Sequence, residues 1–186
     1  MGKAANSSIS LKQIHVTDNF WNKYVHLVKD VIIPYQWDIL NDKLEDVETS
    51  HCIENFKIAA GEKEGEFQGA VFQDTDVAKW LEAVGFVLNY ERDEKLEELA
   101  DETIELIGRA QQPDGYLNTY FTIKEPDGRW SNLMEGHELY TAGHMIEAAV
   151  AYYEATGKRR FLEIVSKFAD LVCQTFGPEE GKIHGY

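Results

Sequence analysis

Apolar residues recur at helical spacing in the first part of the chain. The pattern begins after Asp18, a residue type that caps helices, and continues to about Leu44. Its apolar positions are Phe20, Trp21, Tyr24, Leu27, Val28, Val31 and Ile32. Pro34 lies inside this run, and we predict a kink or a break there because proline has no amide hydrogen to donate. Residues 1–16 lack the pattern and are predicted to form an irregular or strand-like leader.

A two-helix pattern then occurs twice. The first copy extends from Glu82 to Ile107 and the second from Glu147 to Val172, with polar turns at residues 91–93 and 156–158. A unit of roughly 65 residues is longer than the roughly 33–47 residues of tetratricopeptide, ankyrin or armadillo repeats. The duplication therefore predicts an all-α fold in which helical hairpins form an (α/α) toroid with long connections on one rim.

Two long connections separate the predicted helices. Residues 45–73 are polar and carry three glycines, which indicates an excursion from the helical layers. Residues 116–122 are β-prone and precede a turn at residues 126–128, so we predict a small β-hairpin in a rim loop. Its aromatic residues are Tyr116, Tyr120, Phe121 and Trp130. These rings either stack on a sugar or cover the helix ends beneath them.

Composition and charge narrow the expected partners. The chain is 44% hydrophobic and 12% aromatic, enough for one domain with its own core. Because 33 acidic residues outnumber 18 basic ones, for a formal net charge of −15, we expect no nucleic-acid partner and no anionic membrane partner. A neutral sugar is unaffected by this charge. No apolar run approaches the roughly 20 residues of a membrane span, and no secretory signal is visible, so we expect a cytoplasmic protein.

The matching starts of the two repeated units carry candidate ligand-binding groups. Residues 72–76 contain Asp74, Thr75 and Asp76, and residues 137–141 occupy the equivalent place in the second copy. Both starts are expected on the same rim, where helix N-termini also offer free amide hydrogens. The competing interpretation is that the three polar residues of the first copy cap its helix.

Histidines and cysteines give little support for a metal in this segment. His137 and His144 share a helix face with Tyr140, but they lie about 10 Å apart along the axis, so we predict no metal site here. His144 alone is expected to be a hydrogen-bonded interior histidine. Cys52 and Cys173 do not have the spacing of a metal motif, and Cys173 is expected in the core. No pair of carboxyl groups stands out as a catalytic acid and base.

Four stretches together resemble glycoside hydrolase family 127, the β-L-arabinofuranosidases. They are VIIPYQW at residues 31–37, DTDVAKWLEA at 74–83, QPDGYLNTY at 112–120 and HELYTAGH at 137–144. The resemblance implies an (α/α)6 barrel, of which residues 17–186 would form roughly the N-terminal half, followed by β-sandwich domains. It also implies release of terminal β-L-arabinofuranose from plant glycans, with retention at the anomeric carbon.

The resemblance also implies where the chemistry resides. Family members use a cysteine nucleophile bound to Zn²⁺ with further cysteines and a glutamate, and a second glutamate as acid/base. These residues are expected after Tyr186, so this segment is expected to contain no catalytic residue and no cofactor and to be inactive alone. His137 matches a sugar-contacting histidine of the family, and Gln36 matches a contacting glutamine. Asp74, Thr75, Asp76, Tyr140 and Tyr120 are further candidates for substrate binding.

Two other interpretations remain open at this level. One is a non-catalytic helical module that binds a carbohydrate or a protein, and the other is a related barrel hydrolase or lyase that acts on another sugar. Half a barrel would expose apolar helix flanks, so self-association is also expected.

Overall fold

Helices make up the regular structure of residues 9–184, the part of the chain that the computed structural model describes. The helices are α1 (Asn19–Leu27), α2 (Ile33–Leu40), α3 (Cys52–Ala59), α4 (Asp74–Tyr90), α5 (Glu94–Ala110), α6 (Thr119–Ile123), α7 (Leu133–Gly136), α8 (Glu138–Thr156) and α9 (Arg160–Thr175). Short 3₁₀ turns form at Leu11–Gln13 and Pro126–Gly128, and a π-helical turn forms at Val28–Ile32. Within these residues the only β-type pairing is an isolated bridge between Phe176 and Ile183.

The first helical run forms much as its pattern predicts. Asp18 caps α1, because its side chain accepts hydrogen bonds from the amides of Phe20 (3.0 Å) and Trp21 (2.8 Å). Pro34 falls in the first turn of α2, where the missing amide hydrogen costs little. The predicted interruption is the π-helical turn just before it, so the helical backbone is distorted and not broken. The leader contains a 3₁₀ turn within residues 9–16, where the structure shows no strand, and residues 1–8 lie outside the described part.

The predicted duplication is confirmed as two helical hairpins, α4–α5 and α8–α9. Asp93 caps α5 by accepting from the amides of Lys95 and Leu96 (both 3.1 Å), and Gly157 ends α8 in the left-handed conformation. Helices α4 and α8 lie side by side in parallel. A Cβ added to Gly85 on α4 would lie 2.8 Å from the backbone of Ala151 on α8, so this glycine allows the close approach.

One apolar core joins the two hairpins to α2 and α3. The largest side chains buried in it are Tyr116, Tyr152, Phe56, Phe161, Phe168, Ile33, Leu81, Ile104, Ile107, Leu117, Met145 and Ile164. The indole of Trp80 on α4 donates to the carbonyl of Ile33 (3.1 Å), which ties α2 to the first hairpin. Apolar side chains of α1 and α4 lie outside this core, among them Trp21 (61% exposed) and Phe86 (47% exposed). One face of the helical layer is therefore left apolar and open.

Two predictions about the connections were wrong. The expected β-hairpin at residues 116–130 is instead α6 and a 3₁₀ turn, because Asn118 caps α6 by accepting from the amide of Phe121 (3.1 Å). This local cap and the burial of Phe121 outweigh the β propensity of the segment. The excursion at residues 45–73 also contains a helix, α3, whose Phe56 is fully buried.

The prediction that Cys173 is in the core was also wrong, because the residue is exposed near the end of α9. The buried face of α9 carries Phe161, Ile164, Val165 and Phe168. Cys173 lies five positions after Phe168, which turns it well away from that face. Within residues 9–184, no helix combines the length and apolar character that crossing a membrane requires.

Candidate binding cleft

A cleft of about 730 Å³ opens between α2, the first three turns of α4 and the segments that precede α3 and α4. Its lining residues are Gln36, Ile39, Leu40, Glu48, Thr49, Ser50, Gly69, Ala70, Gln73, Asp76, Lys79, Trp80 and Ala83. Two residues predicted from sequence, Gln36 on α2 and Asp76 on α4, thus share one cavity although they are 40 positions apart along the chain. The lining combines amide, carboxylate and ammonium groups with apolar side chains.

Gln73 organises the polar wall of the cleft. Its Nε2 donates to Oδ2 of Asp76 (2.9 Å) and to the hydroxyl of Ser50 (3.2 Å), and its Oε1 accepts from the amide of Ala70 (3.2 Å). Burial raises the pKa of Asp76, and the charge of Lys79 opposes that rise. Because Gln73 holds only one oxygen of Asp76, the other oxygen remains able to accept a hydrogen bond from a ligand.

Asp42 fixes the segment that closes one side of the cleft. Its carboxylate accepts from the amides of Ser50 (2.6 Å) and His51 (3.0 Å), and it lies 3.3 Å from the imidazole of His51. Asp42 adopts a left-handed backbone conformation (φ 56°), which aspartate tolerates better than most residues. The wall that carries Thr49 and Ser50 is therefore held by a side chain eight positions upstream of Ser50.

Asp74 and Thr75 lie behind the cleft. Asp74 is 2% exposed, and it accepts from the amide (2.7 Å) and the hydroxyl of Thr119. Burial raises the pKa of Asp74 to about 6, although the bonds from Thr119 oppose the rise. Thr75 is fully buried, and its Oγ1 accepts from Nζ of Lys79 (3.2 Å). The N-cap of α4 is Gln73, which makes no side-chain capping bond, so neither residue has the capping role that we weighed as the alternative.

The second helix start lies at the same end as the first, as the repeat predicted. The ring of His137 is 5.3 Å from that of Phe72, which immediately precedes Gln73. Tyr140 lies edge-on to His137 (5.9 Å), and Nζ of Lys79 lies 5.4 Å from the Tyr140 ring. Lys79 therefore connects the cleft to the His137 side of the rim. His137 has a left-handed backbone (φ 54°), and its Nδ1 lies 2.8 Å from the carbonyl of Glu135.

Tyr120 is placed apart from these residues. Its hydroxyl donates to Glu125 (2.6 Å), and its ring packs edge-on against Phe67 (5.1 Å). These contacts hold α6 against the connection that precedes α4. Its predicted contact with a sugar stays a prediction.

Several cleft residues were missed at the sequence level. Lys79 follows Asp76 by three positions on the same helix, so helical spacing could have placed it on the same face. Gln73 lies within the predicted helix start at residues 72–76 but was not among the predicted binding residues. Ser50 and Thr49 gave no signal, because their position depends on the loop that Asp42 fixes.

Glu138, at the start of α8, is a second buried carboxyl that the sequence did not distinguish. It is 0% exposed and accepts hydrogen bonds from the hydroxyl of Tyr116 and from the amide of Trp130 (2.8 Å). Burial raises its pKa, and the two donors oppose that rise. Trp130 takes a left-handed backbone (φ 61°), so Glu138 holds a strained part of the rim loop beside His137.

The cysteines do not form a metal site of the kind that the family resemblance implies. Cys52 is fully buried, its thiol donates to the carbonyl of Gln73 (3.3 Å), and burial raises its pKa well above the usual value. A thiolate ligand is therefore disfavoured at this position. Among residues 9–184, the only group of potential ligands close enough to share a metal contains no cysteine. The residues described here thus do not fit a cysteine-bound zinc, and we derive no chemistry from one.

Comparison with known proteins identifies the family. The model described as "Beta-L-arabinofuranosidase, GH127 catalytic domain" matches residues 13–186. The chain belongs to glycoside hydrolase family 127. It is 44% identical over 188 aligned positions to a non-reducing end β-L-arabinofuranosidase from Bifidobacterium longum subsp. longum, with 92% of this chain and 29% of that protein covered.

Solved structures of family 127 members have the same fold. A β-L-arabinofuranosidase from Geobacillus stearothermophilus T6 superposes with a TM-score of 0.91 at 63% identity, over 92% of this chain and 27% of that one. A second family 127 β-arabinofuranosidase superposes with a TM-score of 0.85 at 35% identity, over 96% of this chain and 28% of that one. The predicted all-α fold, part of an α/α barrel, is confirmed. The chain spans less than a third of the length of each of these relatives.

Proposed function

We propose that the protein to which this chain belongs is a glycoside hydrolase that releases terminal β-L-arabinofuranose from plant-type glycans with retention at the anomeric carbon. We propose that this chain supplies part of the sugar-binding rim. Membership of family 127 and the β-L-arabinofuranosidase activity named for the relatives support the reaction. One observation supports the role of this chain in sugar binding. Gln36 and Asp76 line the same cleft, and His137 lies at the same end of the helices.

The chemistry of the cleft suits a small neutral sugar. Gln36 offers an amide donor and acceptor, Asp76 offers a carboxylate oxygen, and Lys79 offers ammonium hydrogens. Trp80 and Ile39 provide apolar surface for the less polar face of a sugar ring. A volume of about 730 Å³ falls within the roughly 300–1,000 Å³ typical of small-molecule sites. The cleft is large enough for one sugar residue together with part of the glycan that carries it.

The reaction itself is assigned to residues outside this chain. No pair of carboxyl groups in the sequence stands out as acid and base, and the group of potential metal ligands among residues 9–184 contains no cysteine. The nucleophile, the acid/base glutamate and the zinc are therefore expected from the rest of the protein. The terminal sugar is bound and oriented by Gln36, Asp76 and His137, which take no direct part in bond cleavage.

The decisive experiment uses the longer protein that carries this chain and an aryl β-L-arabinofuranoside. Gln36→Ala and His137→Ala should each lower kcat/KM about tenfold or more, because one lost hydrogen bond of about 1.4 kcal/mol gives that factor. Gln13→Ala, the same type of change on the exposed leader, is the matched control for Gln36 and should leave the rate unchanged. Nuclear magnetic resonance of the first-formed anomer tests retention.

The outcomes separate the proposal from its rivals. The longer protein should also be assayed against a panel of other aryl glycosides. Faster cleavage of one of these than of the arabinofuranoside would show that the barrel acts on a different sugar. Binding of arabinofuranosides without turnover by a well-folded longer protein would instead support a carbohydrate-binding module and overturn the hydrolase proposal. Rates unaffected by both Gln36→Ala and His137→Ala would remove this cleft from the substrate site.

We also propose that the isolated chain self-associates. An apolar groove of about 470 Å³ lies between α1 and α4 and includes Trp21, Tyr24, Val28 and Phe86. Exposed apolar patches of this kind usually mark interfaces. In the longer protein the same surface is available to pack against further helices.

A further inference from the structure

Three side chains of metal-ligating type converge between α4 and α8, outside the set of residues that lines the cleft. Glu82 on α4 and His144 and Glu147 on α8 each place one ligand atom within 4.8 Å of the others. Nδ1 of His144 lies 3.5 Å from Oε2 of Glu147. That nitrogen is buried, yet it has no partner in hydrogen-bonding geometry. The expected hydrogen-bonded interior histidine is therefore not what the structure shows.

The internal repeat explains why two of these groups face each other. Glu82 and Glu147 occupy equivalent positions in the two copies, and α4 and α8 run in parallel and in register. The close approach at Gly85, one turn beyond Glu82, holds the two helices together at this level. Two carboxylates brought together in this way repel each other, and a cation bound between them offsets that repulsion.

The nearest lysine on α4 is engaged elsewhere. Lys79 precedes Glu82 by one turn, but its Nζ donates to Thr75 (3.2 Å) and lies over the ring of Tyr140 (5.4 Å). Tyr140 in turn packs edge-on against His144 with ring centroids 4.5 Å apart, which fixes the imidazole plane. The imidazole of His144 thus lies beside two carboxylates, and its buried Nδ1 has no hydrogen-bond partner.

We propose that Glu82, His144 and Glu147 form a binding site for one divalent transition-metal ion, with water completing the coordination. Imidazole and carboxylate ligands together suit Zn²⁺, Fe²⁺, Mn²⁺ and Ni²⁺. Ligands about 2.1 Å from a tetrahedral zinc lie about 3.4 Å from one another. The 3.5 Å between His144 and Glu147 is close to that value, and all three ligand atoms lie within 4.8 Å of one another, so small side-chain movements bring them to one ion.

The site is open to solvent and distinct from a cysteine-bound zinc. The Glu147 side chain is 65% exposed and that of His144 is 20% exposed, so an ion can enter and retain water ligands. The proposed ion joins the first helices of the two hairpins and offsets the charge of the paired carboxylates. It does not depend on the proposed hydrolase activity.

The test is calorimetric titration of the metal-free 186-residue chain with ZnCl₂. One Zn²⁺ per chain should bind in the micromolar range, and Glu82→Gln and His144→Gln should each weaken binding at least about tenfold. Zn²⁺ should raise the melting temperature of the parent chain and not that of these variants, because a ligand of the folded state stabilises it. His26→Gln is the matched control, since His26 on α1 lies 3.7 Å from the carboxylate of Asp30, away from the proposed site, and its loss should leave binding unchanged.

Other outcomes would overturn the proposal. One is the absence of Zn²⁺ binding up to millimolar concentration. Another is the same Zn²⁺ affinity in the parent chain and in Glu82→Gln and His144→Gln. A third is a loss of Zn²⁺ affinity in His26→Gln as large as in those two variants. Glu147→Gln changes a largely exposed side chain and keeps the test decisive if the more buried substitutions impair folding. Far-UV circular dichroism checks the fold of each variant. Unchanged Zn²⁺ affinity in a folded Glu147→Gln chain would show that Glu147 is no more than an ion-pair partner of His144.

Discussion

Asp74 gives a quantitative test of how burial and hydrogen bonding compete behind the cleft. Its pKa rises from 3.8 to about 6, chiefly because burial disfavours the charged form. The folded chain therefore binds this proton more tightly than the unfolded chain does. The stability that protonated Asp74 contributes is complete below pH 3.8 and is lost as the pH rises through about 6. A shift of this size corresponds to about 3 kcal/mol.

The substitution Asp74→Asn removes this titration and keeps the local bonds. The asparagine carbonyl accepts from the amide of Thr119, and its NH₂ group donates to the Thr119 hydroxyl, which accepts as well as it donates. Relative to the parent chain, the free energy of unfolding of the variant should therefore increase by about 2.4 kcal/mol between pH 4 and pH 7. The titration of all other groups common to both chains cancels in this difference.

The assay is urea unfolding of both chains, followed by circular dichroism at pH values from 4 to 7. Asp127→Asn makes the same chemical change on an exposed turn and serves as the matched control. A difference between Asp74→Asn and the parent chain that stays constant with pH would refute the reasoning. A difference of the opposite sign would show that the bonds from Thr119 outweigh the cost of burying the charge.

Two further predictions concern the packing of α4 against α8 and the association of one chain with another. Gly85→Ala should lower the free energy of unfolding by about 1–3 kcal/mol, because its Cβ would meet the backbone of Ala151 at 2.8 Å. Gly143→Ala is the control, because nothing lies within 4 Å of its added Cβ, and it should be neutral or stabilising by up to about 1 kcal/mol. Urea unfolding measures both variants, and an equal change in the free energy of unfolding for Gly85→Ala and Gly143→Ala would contradict the packing argument. The isolated chain should self-associate in light scattering. Phe86→Ser should weaken that association more than Phe72→Ser does, and a monomeric parent chain would exclude this interface.

The repeat and the common rim were predictable because both depend on local periodicity. Matching helix starts in two copies of one hairpin must lie at the same end when the copies pack in parallel, and the 5.3 Å contact of Phe72 with His137 confirms this. The cap at Asp18 is equally local, since its bonds reach only two and three residues ahead. The family motif predicted Gln36 as a binding residue, and the structure places it in the cleft that Asp76 also lines.

What the sequence determined by itself is the helical hairpin, its duplication and the polar character of the leading ends, because helical periodicity acts over a few residues. Tertiary structure alone decided that the helix at residues 119–123 packs against Asp74, and it placed Ser50 and Gln73 in the wall of the cleft. It also brought Glu82 to His144. Each of these outcomes depends on contacts between residues far apart along the chain, which local propensity does not encode.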